Sequence, residues 1–192
     1  MTAPMQILNV HERILPATAD EVGALLDGLA GPEDRLWPVV RWPGLPMRLD
    51  RPLGVGASGG HGPIRYRVEE YVPGRRVVFR FSERMGLDGT HRFEVDDSEG
   101  VVELRHVLAG RPRRTKTLLT WLLFTRPLHN AVVEDLLDQA ELAVSGKVLR
   151  PARWSWWVRL LRRRFARRLL RPRPSGAGSS SGTATRSSRS SS

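Results

Sequence analysis

Three histidines carry most of the chemistry that this 192-residue sequence offers. His91 and His106 fall in alternating, strand-like segments, and His129 falls in an amphipathic helical one. A neutral imidazole can ligate zinc or iron, move a proton on a carbonyl-bearing substrate, or give an apolar pocket a hydrogen-bonding anchor. Nothing in the spacing brings the third ring to the other two, which weighs against a metal. Neither a metal nor a cofactor is expected. General acid or base catalysis by His91 or His106 and simple polar anchoring both stand. Tyr66 and Glu70 share the predicted inner face and offer partners for acid–base work, although Glu70, two residues before a turn, equally reaches solvent. The chain has no cysteine, which excludes disulfides, thiolate catalysis and Cys-based zinc sites. It shows no Ser-His-Asp spacing, P-loop or dinucleotide fingerprint.

Two hairpins between Gly62 and Ala109 must position these residues. Ile64, Tyr66, Val68, Glu70 and Val72 alternate with Arg65, Arg67, Glu69 and Tyr71 up to a Val-Pro-Gly-Arg turn at 72–75. Val77, Phe79 and Phe81 then alternate with Val78, Arg80 and Ser82. Pairing Val72 with Arg75 sets Val68 opposite Phe79 and Tyr66 opposite Phe81, each pair on one face. A second hairpin around Asp97-Ser98-Glu99-Gly100 sets Val95 opposite Val102, Phe93 opposite Leu104 and His91 opposite His106. The aromatic patch of Tyr66, Phe79, Phe81 and Phe93 reads either as a cavity wall or as a filled core. Trp37 and Trp42, in a proline-rich stretch over 33–52, line the mouth of such a cavity or cap the core.

Around the hairpins the order is strand, helix, helical turn, antiparallel strands and a long helix. Residues 6–15 read as a strand with Leu8, Val10 and Ile14 on one face and Asn9, His11 and Arg13 on the other. Thr18 and Glu21 have capping-box spacing for a helix whose apolar face is Val22, Leu25, Leu26 and Leu29. Leu53–Gly60 reads as a strand or edge whose glycines allow bends or close approach. Thr115–Phe124 reads as a short helix interrupted before Pro127, which opens a new helix to Ser145 or Gly146. Leu128, Val132, Val133, Leu136, Leu137, Ala140, Ala143 and Val144 form the apolar face of that helix, and Glu134, Asp135, Asp138 and Glu141 take the opposite side.

The strand–helix opening, Gly-Gly-His-Gly-Pro-Ile-Arg-Tyr at 59–66, Gly-Thr-His-Arg-Phe at 89–93 and Arg-Pro-Leu-His at 126–129 resemble the START-like superfamily. That group includes polyketide cyclase/dehydrase and lipid-transport (SRPBCC-type) proteins. The resemblance covers roughly residues 5–146. It implies an α+β helix-grip fold, a curved antiparallel sheet wrapped around a long C-terminal helix with an apolar ligand cavity between them. On that basis the expected ligand-binding residues are Tyr66, Val68, Phe79, Phe81, His91, Phe93, Leu104, His106, His129 and Val133.

Charge divides the chain. Of its 31 Lys and Arg, 13 follow Glu141 with no acidic residue among them, which leaves 18 basic and 20 acidic residues before that point. The basic character therefore belongs to a C-terminal device rather than to the sheet domain. At helical pitch Trp154, Trp157, Val158, Leu161, Phe165 and Leu169 form one stripe, with Arg159, Arg162, Arg163, Arg164, Arg167 and Arg171 mostly off it and Arg168 at its margin. This pattern suits an anionic membrane surface, through Trp154, Trp157, Leu161, Arg162, Phe165 and Arg167. Docking on its own domain or a partner, and nonspecific nucleic-acid binding, are the alternatives. The Leu118–Phe124 segment adds a second membrane contact.

The sequence thus divides into a ligand-binding domain over 1–146, a basic Trp/Arg-rich helix over 147–173 and a Ser/Gly-rich disordered tail over 174–192. No secretory signal or membrane span is visible, so a cytoplasmic place is expected, peripheral at the inner membrane surface. The expected function is to bind a hydrophobic small molecule, lipid or polyketide-like, without specific nucleic acid. The alternative is a cyclase/dehydratase-type enzyme that uses a pocket histidine as general acid or base.

Overall fold

A computed structural model describes residues 6–169, with side chains up to Arg164. Seven strands form one antiparallel sheet: β1 (Ile7–Leu15), β2 (Met47–Leu49), β3 (Ser58–His61), β4 (Ile64–Val72), β5 (Arg76–Phe81), β6 (Leu87–Asp96) and β7 (Val102–Pro112), ordered β1-β7-β6-β5-β4-β3-β2. Helix α1 (Ala19–Asp27) follows β1. After β7 come α2 (Thr115–Thr120), a π-helical turn (Trp121–Thr125), α3 (Arg126–Ser145) and α4 (Trp156–Leu169). The expected tail over 174–192 and the side chains of Phe165 and Arg167 lie outside the described residues.

Local signals hold at α1. The Thr18 hydroxyl accepts the Glu21 N–H at 3.3 Å, and the Glu21 carboxylate accepts the Thr18 N–H at 2.8 Å. Val22, Leu25, Leu26 and Leu29 are then buried with Phe79, Phe93, Leu104 and the α3 residues Val133, Leu136, Leu137 and Ala140. A Cβ on Gly59 would overlap the Arg48 carbonyl oxygen, so the close approach expected of this segment is the pairing of β3 with β2.

The hairpins keep the predicted faces except beyond Val68 in β4, and they do not keep all of the predicted pairs. Tyr66 faces Phe81 and Val68 faces Phe79. A bulge between Val68 and Glu70 absorbs one residue, so Val72 faces Arg76 rather than Arg75. The bulge brings Tyr71 opposite Val77 and turns Glu70 outward to pair with Arg76, which removes Glu70 from the inner face. In the second hairpin Val95 faces Leu104, Phe93 faces His106 and His91 faces Leu108, two residues from the expected register. Side chains alternate with period two, so an even slip leaves every one of them on its expected face.

Strand β1 turns its apolar stripe to solvent. Leu8, Val10 and Ile14 are 67%, 45% and 64% exposed. Asn9, His11 and Arg13 instead face α3, because that helix presents carboxylates there. Arg13 donates to Asp138 at 3.0 Å, Glu141 at 2.8 Å and Glu134 at 3.3 Å. Asp135, Asp138 and Glu141 are buried, not the solvated side that hydropathy suggests. The chain after α3 covers the rest of this row. The Leu149 N–H donates to Glu141 at 3.1 Å, the Ala152 N–H to Asp138 at 2.7 Å and the Trp154 indole to Asp135 at 2.8 Å.

Pro127 does not break the helix. The chain widens into the π turn and continues, with the Arg126 N–H reaching back to the Trp121 carbonyl. Pro127 has no N–H for the carbonyl four residues back, and that Leu123 carbonyl accepts the Trp157 indole N–H at 2.9 Å. The stripe expected to meet a membrane thus faces the domain in part. Val158 is buried, and the Arg162 guanidinium lies 4.3 Å from the Trp154 ring while donating to the Arg41 carbonyl. Among the described residues, no helix is long and apolar enough to cross a membrane.

Candidate functional site

A cavity of about 750 Å³ lies between the inner face of the sheet and α3, closed by the π turn and by the loop that carries Trp37 and Trp42. This is within the usual range for small-molecule sites. Of the expected ligand-binding residues, Phe81, His91, Phe93, His106, His129 and Val133 line it. Tyr66, Val68, Phe79 and Leu104 do not; they are packed in the core behind its wall. The aromatic patch therefore does both jobs, with Phe81 and Phe93 as wall and Phe79 as filling. Trp37 and Trp42 also line the cavity, and their indoles are fixed by the Leu45 carbonyl at 2.7 Å and Asp135 at 2.7 Å. Asp135 accepts from both Trp42 and Trp154 and pairs with Arg41 at 3.0 Å, so one buried carboxylate ties the cavity wall to the C-terminal segment. Burial raises its pKa, against the pull of the two indoles and Arg41.

All five histidines of the chain stand in one row. The His61 ring lies against Tyr66, with Nδ1 3.2 Å from the phenol oxygen, and Tyr66 meets His91 edge-on at 4.8 Å. His91 is stacked on Phe79 at 4.8 Å and on Phe81 at 5.1 Å. Its Nδ1 is 3.4 Å from His106 Nε2, although the two residues are diagonal rather than directly opposed. His106 and His129 rings are 5.1 Å apart, and His129 and His11 rings 6.2 Å. His11 Nδ1 ends the row 2.6 Å from Glu134, which the residue spacing alone did not reveal. His61, also missed as a cavity residue, sits in the Gly-Gly-His-Gly-Pro segment, where no alternation marks its face.

Burial keeps the cavity imidazoles neutral. Desolvation is the main cause at each: it lowers His61 to about 4 and His129 to about 3, and holds His91 and His106 well below their ordinary value. Neighbouring imidazoles add to the effect at His91, His106 and His129. A neutral imidazole has one donor and one acceptor nitrogen. The His91–His106 hydrogen bond needs one facing nitrogen protonated and the other not, so one ring donates and the other accepts. The remaining nitrogens, His91 Nε2 and His106 Nδ1, are buried without protein partners. The pair therefore keeps one donor and one acceptor unsatisfied, and His129 Nδ1 is a third such atom. Buried polar atoms are rarely left so, and a bound molecule or water is the ordinary remedy. Among the described residues, no three His, Cys, Asp or Glu side chains converge as a metal-binding group.

No protein-family model matches the sequence, and no curated protein does. Solved structures match the fold. Norcoclaurine synthase from Thalictrum flavum, a point mutant bound to a transition-state analogue, aligns at TM-score 0.52 with 15% identity over 74% of this chain and 97% of that one. The same enzyme with dopamine and hydroxybenzaldehyde aligns at TM-score 0.51 with 16% identity, over 72% of this chain and 87% of that one. A conserved protein of unknown function from Enterococcus faecalis gives TM-score 0.51 at 12% identity, over 85% of each chain. A sheet that grips a long helix is the helix-grip architecture, and the likeness to these structures shows the α+β helix-grip fold expected from the sequence.

Proposed function

We propose that the protein binds an apolar small molecule, a lipid or a polyketide-like compound, that carries a hydroxyl or carbonyl group. The observation that carries this reading is the set of three unpartnered imidazole nitrogens on residues that line a cavity with aromatic and aliphatic walls. Aromatic walls favour a ring or acyl body, and neutral imidazoles favour an uncharged polar group that both donates and accepts. Organic extraction of purified protein followed by mass spectrometry is expected to release an apolar compound with such a group. A Val133→Trp variant, which places a bulky ring in the cavity, should release much less. Recovery of the same compound in undiminished yield from folded Val133→Trp protein would contradict the reading.

A second reading is catalytic. A neutral His91–His106 pair with a free acceptor suits proton removal next to a carbonyl, as a cyclase or dehydratase needs. His91→Asn or His106→Asn that keeps ligand binding but abolishes turnover of the extracted compound would favour the enzyme.

The membrane part of the reading rests mainly on the Leu118–Phe124 segment, expected as the second contact, rather than on the Trp154 stripe. Trp154 and Arg162 face the domain, but Leu119, Leu122, Leu123 and Phe124 are 53%, 46%, 54% and 44% exposed, and Trp156 is 75% exposed. Arg159, Arg163 and Arg164 are also exposed on α4. This combination suits an anionic bilayer, and Phe124 belongs to the cavity lining as well. Leu122→Asp/Leu123→Asp is expected to reduce co-sedimentation with phosphatidylserine vesicles at least tenfold. Undiminished sedimentation would place the contact elsewhere.

A further inference from the structure

The mouth of the cavity differs in charge from its interior. Arg84, Arg113, Arg114 and Lys116 line it, with Glu83 as the single carboxylate. Four arginines on the outer face of the sheet are paired, Arg76 with Glu70, Arg80 with Glu69, Arg92 with Glu94 and Arg105 with Glu103, whereas Arg65, Arg67 and Arg111 have no ion pair among the described residues and stand apart from one another along the strands. The four cations at the mouth form no such pair among the described residues, and all four are exposed. They come from the 3₁₀ turn at Glu83–Met85, the basic turn after β7 and the first turn of α2, and the first two are joined where the Arg113 N–H donates to the Gly86 carbonyl at 2.9 Å. Deeper in, the polar groups are neutral imidazoles. A site with an apolar body, neutral polar anchors and an uncompensated cationic rim selects by charge only at its entrance.

We propose that the cavity takes its ligand as an anionic amphiphile, with the apolar body inside and a carboxylate or phosphate held among Arg84, Arg113, Arg114 and Lys116. This rests on the cavity-binding reading above and adds the orientation and charge of the ligand. Rim cations exposed to water screen readily, so the preference for an anion should be strongest at low salt.

The test titrates decyl phosphate, decanoate, decanol and decyltrimethylammonium, each below its micelle concentration, against the full chain and an Arg113→Gln/Arg114→Gln variant. Binding is read by calorimetry. Decyl phosphate and decanoate are expected to bind at least tenfold more tightly than decanol in 20 mM salt, with decyltrimethylammonium weakest. In the variant, and in 0.5 M salt, that advantage should shrink to about twofold. Inorganic phosphate alone should not displace decanoate, which distinguishes an amphiphile headgroup from a free-anion site. Equal binding of all four chains would overturn the charged-mouth proposal and leave the cavity reading intact. An anion preference that persists in the variant would overturn the assignment to this rim. Failure of every chain to bind would overturn both proposals.

Discussion

Replacing Arg13 with methionine is expected to destabilise the protein by about 3–5 kcal/mol. Thermal denaturation should show this as a fall in Tm of roughly 10 °C. The guanidinium bonds Asp138 and Glu141 and reaches Glu134, and the first two carboxylates have side chains only 11% and 6% exposed. Removing the cation strands two buried negative charges beside each other, and Asp135 lies one helical turn away. Burial of Arg13 opposes its charge, but its hydrogen bonds to Asp138 and Glu141 and Coulomb attraction to Asp138 and Glu134 outweigh that cost, so its pKa is raised. Arg75→Met serves as the control. It breaks an ion pair with Asp97 in which both side chains are nearly half exposed, and should cost under about 1 kcal/mol. Similar losses in the two variants would mean that the charge row under α3 is solvated after all.

Acid is expected to unfold the protein well above the pH at which carboxylates usually dominate. His91 and His106 are 6% and 2% exposed and neutral in the folded chain. Their folded pKa values lie below the unfolded value of about 6.5. The unfolded chain therefore binds more protons as pH falls through 6.5, and stability drops with it. Above pH 6.5 the contribution is fully present. At pH 5 each buried imidazole costs about 2 kcal/mol, a figure set by the unfolded pKa as long as the folded one lies well below 5. Two such groups remove about 4 kcal/mol, and His61 and His129 act in the same direction. Urea denaturation at pH 7.5 and pH 5 measures the difference. His91→Phe, which keeps the stacking on Phe79 and Phe81 without a titrating group, should reduce the acid loss by about 2 kcal/mol. A stability that does not change between pH 7.5 and 5 would contradict the buried neutral row.

What the sequence made legible, and what it hid, follows from the range of each signal. Alternation in β4 through β7 marks the inner face, because one apolar side chain in two is a local pattern. It says nothing about an even register slip, so His91 was placed opposite His106 when Leu108 stands there. The capping box of Thr18 and Glu21 spans three residues and was readable; the pairing of Arg13 with Asp138 and Glu141 spans more than 120 and was not. That long-range pairing decides which face of β1 is buried, against its own hydropathy. The acidic row on α3 looked solvated for the same reason: its cover is Arg13 and the chain after Gly146, both remote in sequence. Of the histidine row, strand and helix periodicity mark His91, His106 and His129. They do not mark His61 in the cavity or His11 beyond it, because a glycine-rich segment carries no face and the polar stripe of β1 carries no sign that it is covered.

The account rests on neutral imidazoles reading a polar group at the end of an apolar body. Calorimetric titration of 2-naphthol and 2-methylnaphthalene into the wild-type protein and His106→Phe tests this directly. The two compounds differ in whether the ring substituent can hydrogen-bond. One neutral hydrogen bond to an otherwise unpartnered buried nitrogen is worth about 1 kcal/mol, so 2-naphthol should bind the wild type roughly five- to tenfold more tightly than 2-methylnaphthalene. In His106→Phe the difference should change, because one of the three unpartnered nitrogens is lost and the partner of His91 Nδ1 goes with it. Equal affinities in the wild type would contradict the assignment of the histidine row as the ligand-reading element.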